Sequence, residues 1–379
     1  MSYSSVDQLQ QALTEKIFHY AKDSKKAAGR ALGTIVEIIT FYSLKAWGLN
    51  SSIAIEKKIP EFGNADITHN VEYSLHPIFN QYTLEIKNDN SSITATKLLN
   101  ELNQTGNFAE FHKTNNTLLS QQGILRNGCI FATKTNSCLM ASIQAIHKDN
   151  YHIAITEQSN HPYSIFECKR VGVEEGIKKG PQTIEKAKQG AYVAKSVSSL
   201  QKVRLASGEL FGVIYQNDTI IRSKPYQQLL EEVINSTDPN LLRHFILTVG
   251  VVSNHGNWFT GKDQNKELKV LAQSYDWLIF LTDSAITEFI EAVLFNPTSE
   301  FEPIKAAFLA SYPKGKKKNQ FTKVKMNLRA DQALIKYFNA NARHIEKWFN
   351  IISPLSSDID RLKAQISNLS KKHWSNILK

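Results

Sequence analysis

The chain has 379 residues, of which 42% are hydrophobic and 10% aromatic, enough for a globular protein with a sizeable core. Its formal net charge of +10 favours a polyanionic partner such as nucleic acid, although a merely basic surface explains the charge equally well. The three cysteines form no C-x-x-C pair, the amino terminus has no apolar signal core, and no apolar run reaches the length of a membrane span. We therefore expect a cytoplasmic protein with reduced thiols and no membrane partner.

The first half of the chain is predicted to pass from helices into strands. About the first thirty residues have a helical pattern, and 31–48 is a clear amphipathic helix that ends at Gly48. Strand patterns follow at 52–59, 67–78 and 81–87. The next stretch is rich in Asn, Thr and Gln, and we interpret about 88–126 as an inserted subdomain.

Strands then resume and give way to helices. The predicted elements are strands at 128–134, 138–146, 151–157 and 163–169, a helix at about 181–199, strands at 210–215 and 245–252, and a mostly helical region from about 265. The polar turn at 158–162 predicts a hairpin between strands 151–157 and 163–169. We expect a catalytic core over 1–260 and a helical C-terminal region over 261–379, with a basic loop at 314–325.

Glu-x-Lys is the motif with the clearest chemistry, but it occurs four times, so the tripeptide alone means little. The pair Glu167/Lys169 differs because it ends an apolar strand, YSIF, and because period-2 alternation puts both side chains on one face. A carboxylate together with the backbone carbonyl of Cys168 can hold magnesium, while the lysine positions the attacking water. The other interpretation is a charged pair on a solvated strand face.

A second carboxylate is needed to hold Mg²⁺ against a phosphate, and the sequence offers alternatives. Pairing across the predicted hairpin brings Asp149 to the same end as Glu167. Asp66 begins an earlier strand and is the rival metal ligand. A third arrangement pairs Asp66 with Glu85/Lys87, which lie on the predicted strand 81–87.

Taken together, a helix with a lone acid, an acidic residue, a hairpin that ends in Glu-x-Lys and a helix with Lys and Gln resemble the PD-(D/E)XK nuclease superfamily. In size the chain resembles the stand-alone type II restriction endonucleases of that superfamily. The resemblance covers roughly residues 31–215 and implies an α/β fold with a restriction-endonuclease-like αβββαβ core. It also implies that Glu37, within the apolar helix, takes the place of the acid that assists metal binding. The sequence departs from the family pattern because no proline precedes Asp149 or Asp66.

Basic segments supply candidate DNA contacts. Lys186 and Gln189 fall on one face of the predicted helix after the Glu-x-Lys strand, and the loop Lys316, Lys317 and Lys318 is a candidate phosphate clamp. Solvated basic surfaces explain both segments nearly as well. A complete His-Asn-His pattern is missing near His255, and no phosphate-binding glycine loop is present, so we expect no nucleotide cofactor.

The sequence therefore predicts a magnesium-dependent, site-specific endonuclease that acts on double-stranded DNA, with a repair nuclease and a non-catalytic DNA-binding protein as alternatives. Because one active site cuts one strand, we expect a homodimer. Apolar residues at helical spacing beyond residue 330 are candidates for its interface: Leu334, Tyr337, Phe338, Ile345, Trp348, Phe349 and Ile352. The alternative is that this apolar face packs on the catalytic domain.

Overall fold

The computed structural model describes residues 3–147, 149–171, 181–216, 219–255, 266–312 and 319–379, and for 181–188 it describes the backbone alone. Within these ranges the protein is a mixed α/β structure. Its strands are β1 (Ile53–Ile55), β2 (Lys58–Glu61), β3 (Asn64–Asn70), β4 (Tyr73–Leu75), β5 (Ile78–Lys87), β6 (Ile93–Thr94), β7 (His112–Lys113), β8 (Thr117–Leu119), β9 (Ile124–Arg126), β10 (Cys129–Thr133), β11 (Ser137–Ile146), β12 (Asn150–Ser159), β13 (Ser164–Val171), β14 (Leu200–Arg204), β15 (Leu210–Gln216), β16 (Thr219–Pro225), β17 (Leu247–Asn254), β18 (Trp277–Leu281), β19 (Lys325–Asn327) and β20 (Phe349–Ser353).

The helices are distributed along the whole chain. They are α1 (Val6–Lys16), α2 (Ser24–Leu44), α3 (Ala95–Asn103), α4 (Pro181–Ser196), α5 (Tyr226–Asn235), α6 (Pro239–Leu242), α7 (Lys266–Ser274), α8 (Asp283–Ile290), α9 (Glu302–Ser311), α10 (Leu328–Ala340), α11 (Ala342–Glu346), α12 (Ile359–Ser370) and α13 (Trp374–Ile377). Two π-helical turns, Lys45–Leu49 and Glu291–Phe295, extend α2 and α8. No helix in the described part of the chain is long and apolar enough to cross a membrane.

The largest sheet has six strands in the order β1–β4–β13–β17–β18–β20. Strands β13, β17 and β18 run parallel, while β1, β4 and β20 pair antiparallel with their neighbours. All eight residues of β17 and all five of β18 are buried. Strands that are buried along their whole length are typical of parallel sheets that helices cover on both faces.

Strand β13 shows how the two faces of the sheet are covered. On one face α2 packs against it, and Sγ of Cys168 lies 3.5 Å from Oγ1 of Thr40. On the other face α4 packs so closely that a Cβ added at Gly190 would lie 3.3 Å from Cε of Lys169. Because side chains alternate along a strand, neighbouring residues of β13 contact different helices.

The segment between β4 and β13 leaves the central sheet. Strands β5, β12, β11, β10 and β7 form a five-stranded sheet, and β6, β8 and β9 join β19 in a smaller one. A separate hydrophobic cluster packs these strands against α3. The predicted insertion at about 88–126 lies inside this larger segment. The strands on either side of it, β5, β10, β11 and β12, belong to the same five-stranded sheet, although their local sequence pattern does not distinguish them from strands of the main sheet.

The predicted hairpin between strands 151–157 and 163–169 is wrong. Strand β12 pairs with β5 and β11, whereas β13 pairs with β4 and β17. The polar turn after Ser159 therefore carries the chain from one sheet to the other. Turn chemistry predicts that the chain changes direction, but it does not determine which distant strand supplies the hydrogen bonds.

The region beyond residue 260 is mostly helical, yet it also contributes β18 and β20 to the central sheet. The expected boundary between 260 and 261 thus falls between two hydrogen-bonded neighbours, β17 and β18.

The interpretation of the apolar residues beyond 330 as a dimer interface is wrong. All seven side chains are buried in the hydrophobic clusters of this same chain: Leu334, Tyr337, Phe338, Ile345, Trp348, Phe349 and Ile352. They are buried because the helices α10 and α11 pack onto the core and because β20 is itself a strand of the central sheet. The homodimer itself stays a prediction.

Candidate active site

The Glu-x-Lys pair lies in the second half of β13. Glu167 is only 3% exposed, and its Oε2 lies 2.9 Å from Nζ of Lys169. The two side chains share a face, as alternation predicts, while Cys168 points to α2 through its contact with Thr40. A buried carboxylate with a lysine partner is therefore placed at the centre of the main sheet.

The stem of Lys169 is confined by α4 and by an aromatic ring. A Cβ at Gly190 would lie 3.3 Å from Cε of Lys169 and 2.9 Å from the hydroxyl oxygen of Tyr275. The ring of Tyr275 is itself buried, and it packs so closely on β17 that a Cβ at Gly250 would lie 2.8 Å from its Cδ2. The absence of a side chain at Gly190 thus makes room for the lysine.

A second carboxylate, Glu72, stands at the start of the neighbouring strand. Strand β4 pairs antiparallel with β13, with Tyr73 opposite Phe166, so one step further along the register brings Glu72 opposite Glu167. There the backbone N–H of Glu72 donates to Oε1 of Glu167 at 3.1 Å. The backbone of Glu72 therefore lies directly beside the carboxylate of Glu167.

A third acid continues this row, and a fourth comes from α2. The backbone N–H of Glu56 donates to the carbonyl oxygen of Glu72 at 3.2 Å, immediately after β1. Glu37 lies on α2, and its backbone carbonyl accepts from the hydroxyl of Tyr73 at 2.8 Å. Three strand ends and one helix thus bring four carboxylates together.

The cation among these acids is Lys323, which comes from the segment before β19. Its Nζ lies 3.4 Å from Oε2 of Glu37 and 3.3 Å from Oε1 of Glu56, and it also contacts Oε2 of Glu72. Lys323 is 7% exposed. We call the six side chains together the carboxylate cluster: Glu37, Glu56, Glu72, Glu167, Lys169 and Lys323.

Burial raises the pKa of two carboxyl groups in the carboxylate cluster. Burial raises the pKa of Glu167, and the charge of Lys169 opposes that rise. Burial likewise raises the pKa of Glu37, with Lys323 acting in the opposite direction. With all groups ionised, four carboxylates and two ammonium groups give a formal charge of −4 + 2 = −2. Such a site favours the approach of a further cation.

The donors in this cluster fit a hard divalent cation, because Mg²⁺ prefers carboxylate and carbonyl oxygens. The backbone N–H of Glu72 contacts the carboxylate of Glu167, and the ammonium of Lys323 joins the carboxylates of Glu37 and Glu72. In the part of the chain that the structure describes, no three His, Cys, Asp or Glu side chains are arranged as a ready metal site. The carboxylates of Glu37, Glu56 and Glu72 instead surround the ammonium of Lys323.

The structure does not bring the two predicted aspartates to Glu167. Asp149 is exposed in the turn before β12, where its carbonyl oxygen accepts from the backbone N–H of Asn88 at 2.8 Å. The hairpin that would have placed Asp149 opposite Glu167 does not form. Asp66 is exposed on β3, in a two-stranded sheet with β2. Neither position offers a buried acid beside the Glu-x-Lys pair.

The alternative pair Glu85/Lys87 lies on β5, in the five-stranded sheet. Glu85 is exposed on that strand, and its Oε1 lies 3.4 Å from Nδ1 of His152. This pair corresponds to the solvated strand face that most Glu-x-Lys tripeptides represent.

The predicted DNA contacts are only partly described. Gln189 is exposed on α4. The side chain of Lys186 lies outside the described residues, as does the loop of Lys316, Lys317 and Lys318.

The sequence pattern did not predict that Glu56, Glu72 and Lys323 belong to the site. Glu72 carried a usable signal, since it stands between Val71 and Tyr73 inside a predicted strand, where an acid is unusual. Lys323 had no such signal, because seven other basic residues surround it between 303 and 330.

No protein-family model, no curated protein and no solved structure matches this chain. The function of the carboxylate cluster must therefore follow from its own residues and geometry.

Proposed function

We propose that the protein is a magnesium-dependent endonuclease that hydrolyses phosphodiester bonds of double-stranded DNA at specific sites, in the manner of a type II restriction enzyme. The observation that carries the proposal is the convergence of Glu37, Glu72 and Glu167 with Lys169 at one end of the central strands. These residues come from α2, β13 and the chain just before β4, so no single local pattern accounts for their meeting.

The connectivity supports the same proposal. The elements around the carboxylate cluster include α2, β1, β4, β13, α4 and β17 in chain order, with other strands and helices inserted between them and with β17 parallel to β13. Without the inserted elements, this order is compatible with the αβββαβ core that the resemblance to PD-(D/E)XK nucleases implies. In that scheme Glu72 takes the place of the second carboxylate, for which the sequence had suggested Asp149 or Asp66.

In this mechanism Glu72, Glu167 and the carbonyl of Cys168 would hold Mg²⁺, with Glu37 in support. The ion supplies a Lewis acid that polarises a phosphate oxygen. The chain itself contributes the ammonium of Lys169, which is fixed between Glu167 and Gly190 and can orient the attacking water. Burial of Glu167 shields its carboxylate from bulk water, which strengthens its interaction with a cation.

Double-stranded DNA is the substrate that the overall charge favours. A formal charge of +10 on the whole chain coexists with a cluster of −2, so the excess of basic residues lies elsewhere. Basic residues near Lys186 and Gln189 and in the loop of Lys316, Lys317 and Lys318 would then contact the phosphates. Cutting both strands of a palindrome would engage two copies of the chain.

The test is cleavage of supercoiled plasmid with Mg²⁺ by Glu167→Gln and Lys169→Met variants. We expect each variant to lose roughly 100- to 10,000-fold in rate, as is usual when a positioned catalytic group is removed. The matched controls are Glu85→Gln and Lys87→Met, which alter the same tripeptide on an exposed strand and should cut at the normal rate. Gel-shift measurements in Ca²⁺ should show that DNA binding persists in all four variants.

The products distinguish the alternatives. Discrete bands support a site-specific endonuclease, whereas smears or structure-specific nicks indicate a repair nuclease. Intact plasmid with the unaltered protein would mean that it binds DNA without cutting it, and the proposal would be wrong.

A further inference from the structure

Lys323 is held in the carboxylate cluster by the fold. It lies in a tight turn in which Phe321 and Met326 form a bridge, and both of these side chains are fully buried. Within the turn the backbone N–H of Thr322 donates to the carbonyl oxygen of Lys325 at 2.8 Å. The lysine backbone is therefore anchored on both sides by the hydrophobic core.

The ammonium of Lys323 has as many partners as it has protons. It contacts the carboxylates of Glu37, Glu56 and Glu72, and an ammonium has three N–H donors. One lysine thus links a helix and the ends of two strands. Such contacts also hold each carboxylate in a defined position before substrate arrives.

The charge of Lys323 also affects how many cations the carboxylate cluster attracts. The carboxylate cluster carries −2 with both lysines present, which one divalent ion neutralises. Without Lys323 it would carry −3, and Glu37, Glu56 and Glu72 would share no cation. Carboxylates left in this way favour binding of a further hard cation.

We propose that Lys323 is a positioning residue. Its ammonium occupies the place that a second divalent metal ion would otherwise take among Glu37, Glu56 and Glu72, and it thereby limits the site to one such ion. This inference rests on the proposed nuclease function. In this arrangement the ammonium of Lys323 stays beside the bound metal ion and is not displaced by it. Glu37, Glu56 and Glu72 therefore keep their orientation while the metal ion binds.

Calorimetric titration of the full chain with Mn²⁺ measures the number of ions directly. We expect one ion per chain in the unaltered protein and two in Lys323→Met, after subtraction of the weak sites that remain in Glu72→Gln. Lys325→Met is the matched control, since it removes the same charge from an exposed residue two positions away and should bind one ion. Lys323→Arg keeps the charge and should also bind one.

Acylation of the unaltered protein provides a test that needs no folded variant. Acetic anhydride should modify Lys323 at the same slow rate with and without saturating Mn²⁺, as followed by mass spectrometry, with exposed Lys325 as the internal reference. A tenfold faster reaction of Lys323 with Mn²⁺ present would show that the metal ion displaces the ammonium, which would overturn the inference.

The stoichiometry separates this inference from the proposed function. Two ions in the unaltered protein, or one ion of unchanged affinity in a folded Lys323→Met, would overturn the role of Lys323 while leaving metal-dependent cleavage intact. Absence of both Mn²⁺ binding and cleavage in the unaltered protein would overturn the two proposals together.

Discussion

Gly190→Ala offers a sharp test of how α4 positions Lys169. The added Cβ would lie 2.9 Å from the hydroxyl oxygen of Tyr275 and 3.3 Å from Cε of Lys169. The Tyr275 ring has little freedom, because it is buried and packs against Gly250. The lysine side chain is 26% exposed and can move more easily. We therefore expect the substitution to displace the head of Lys169 from Glu167.

The expected magnitudes distinguish loss of catalysis from loss of folding. Replacing a helical glycine with alanine gains about 1 kcal/mol of helix stability, while overpacking a core costs about 1–3 kcal/mol. The net destabilisation should therefore lie at roughly 0–2 kcal/mol, and the chain stays folded. A displacement of about 1 Å of a positioned group lowers the rate by about 100-fold.

The assay is plasmid cleavage together with thermal unfolding, and α2 supplies the matched control. A Cβ at Gly33 would have no neighbour within 4 Å, so Gly33→Ala should stabilise the protein by about 1 kcal/mol and cut at the normal rate. Unchanged cleavage by a folded Gly190→Ala would refute the argument that Gly190 positions Lys169.

Three further predictions concern the second carboxylate ligand of the proposed metal ion, the dependence of stability on acidic pH and the buried apolar residues beyond 330. Glu72→Gln should lower Mg²⁺-dependent cleavage by at least about 100-fold because a metal ligand supplies several kcal/mol, whereas Asp149→Asn and Asp66→Asn should stay active; the opposite ranking would exclude Glu72 as the ligand. Burial lowers the pKa of His161 from 6.5 to about 4. The unfolded chain therefore binds a proton at His161 before the folded protein does, and the free energy of unfolding falls as the pH drops from 6.5 towards 4. His161→Gln should remove about 2 kcal/mol of this acid dependence in urea titrations at pH 7 and 4.5, and parallel curves for both proteins would contradict the assignment. Leu334→Ala should cost about 2–5 kcal/mol because the residue is fully buried, and light scattering should show the same oligomeric state as for the unaltered protein; a weaker association of the variant would place Leu334 at an interface.

Much of the candidate site follows from local sequence patterns. Alternation along YSIFECK places Glu167 and Lys169 on one face, and β13 has this arrangement. The inference about Glu167 and Lys169 needed only neighbouring residues, because the period of a strand is a local property. The role of Glu37 came instead from the resemblance to PD-(D/E)XK nucleases, and the structure places its carboxylate beside Lys323.

The tertiary structure decided which residues complete the site. Glu72 meets Glu167 across 95 positions of sequence, and Lys323 meets Glu72 across 251. Strand pairing also replaced the expected partner Asp149, because β12 joined β5 and β11 instead of β13. Local pattern determines which face of a strand an acid occupies, but the strand that lies beside it depends on how all the apolar faces are buried together. For that reason the sequence alone predicts the Glu-x-Lys pair and its chemistry, while its second carboxylate and its buried lysine follow only from the packed fold.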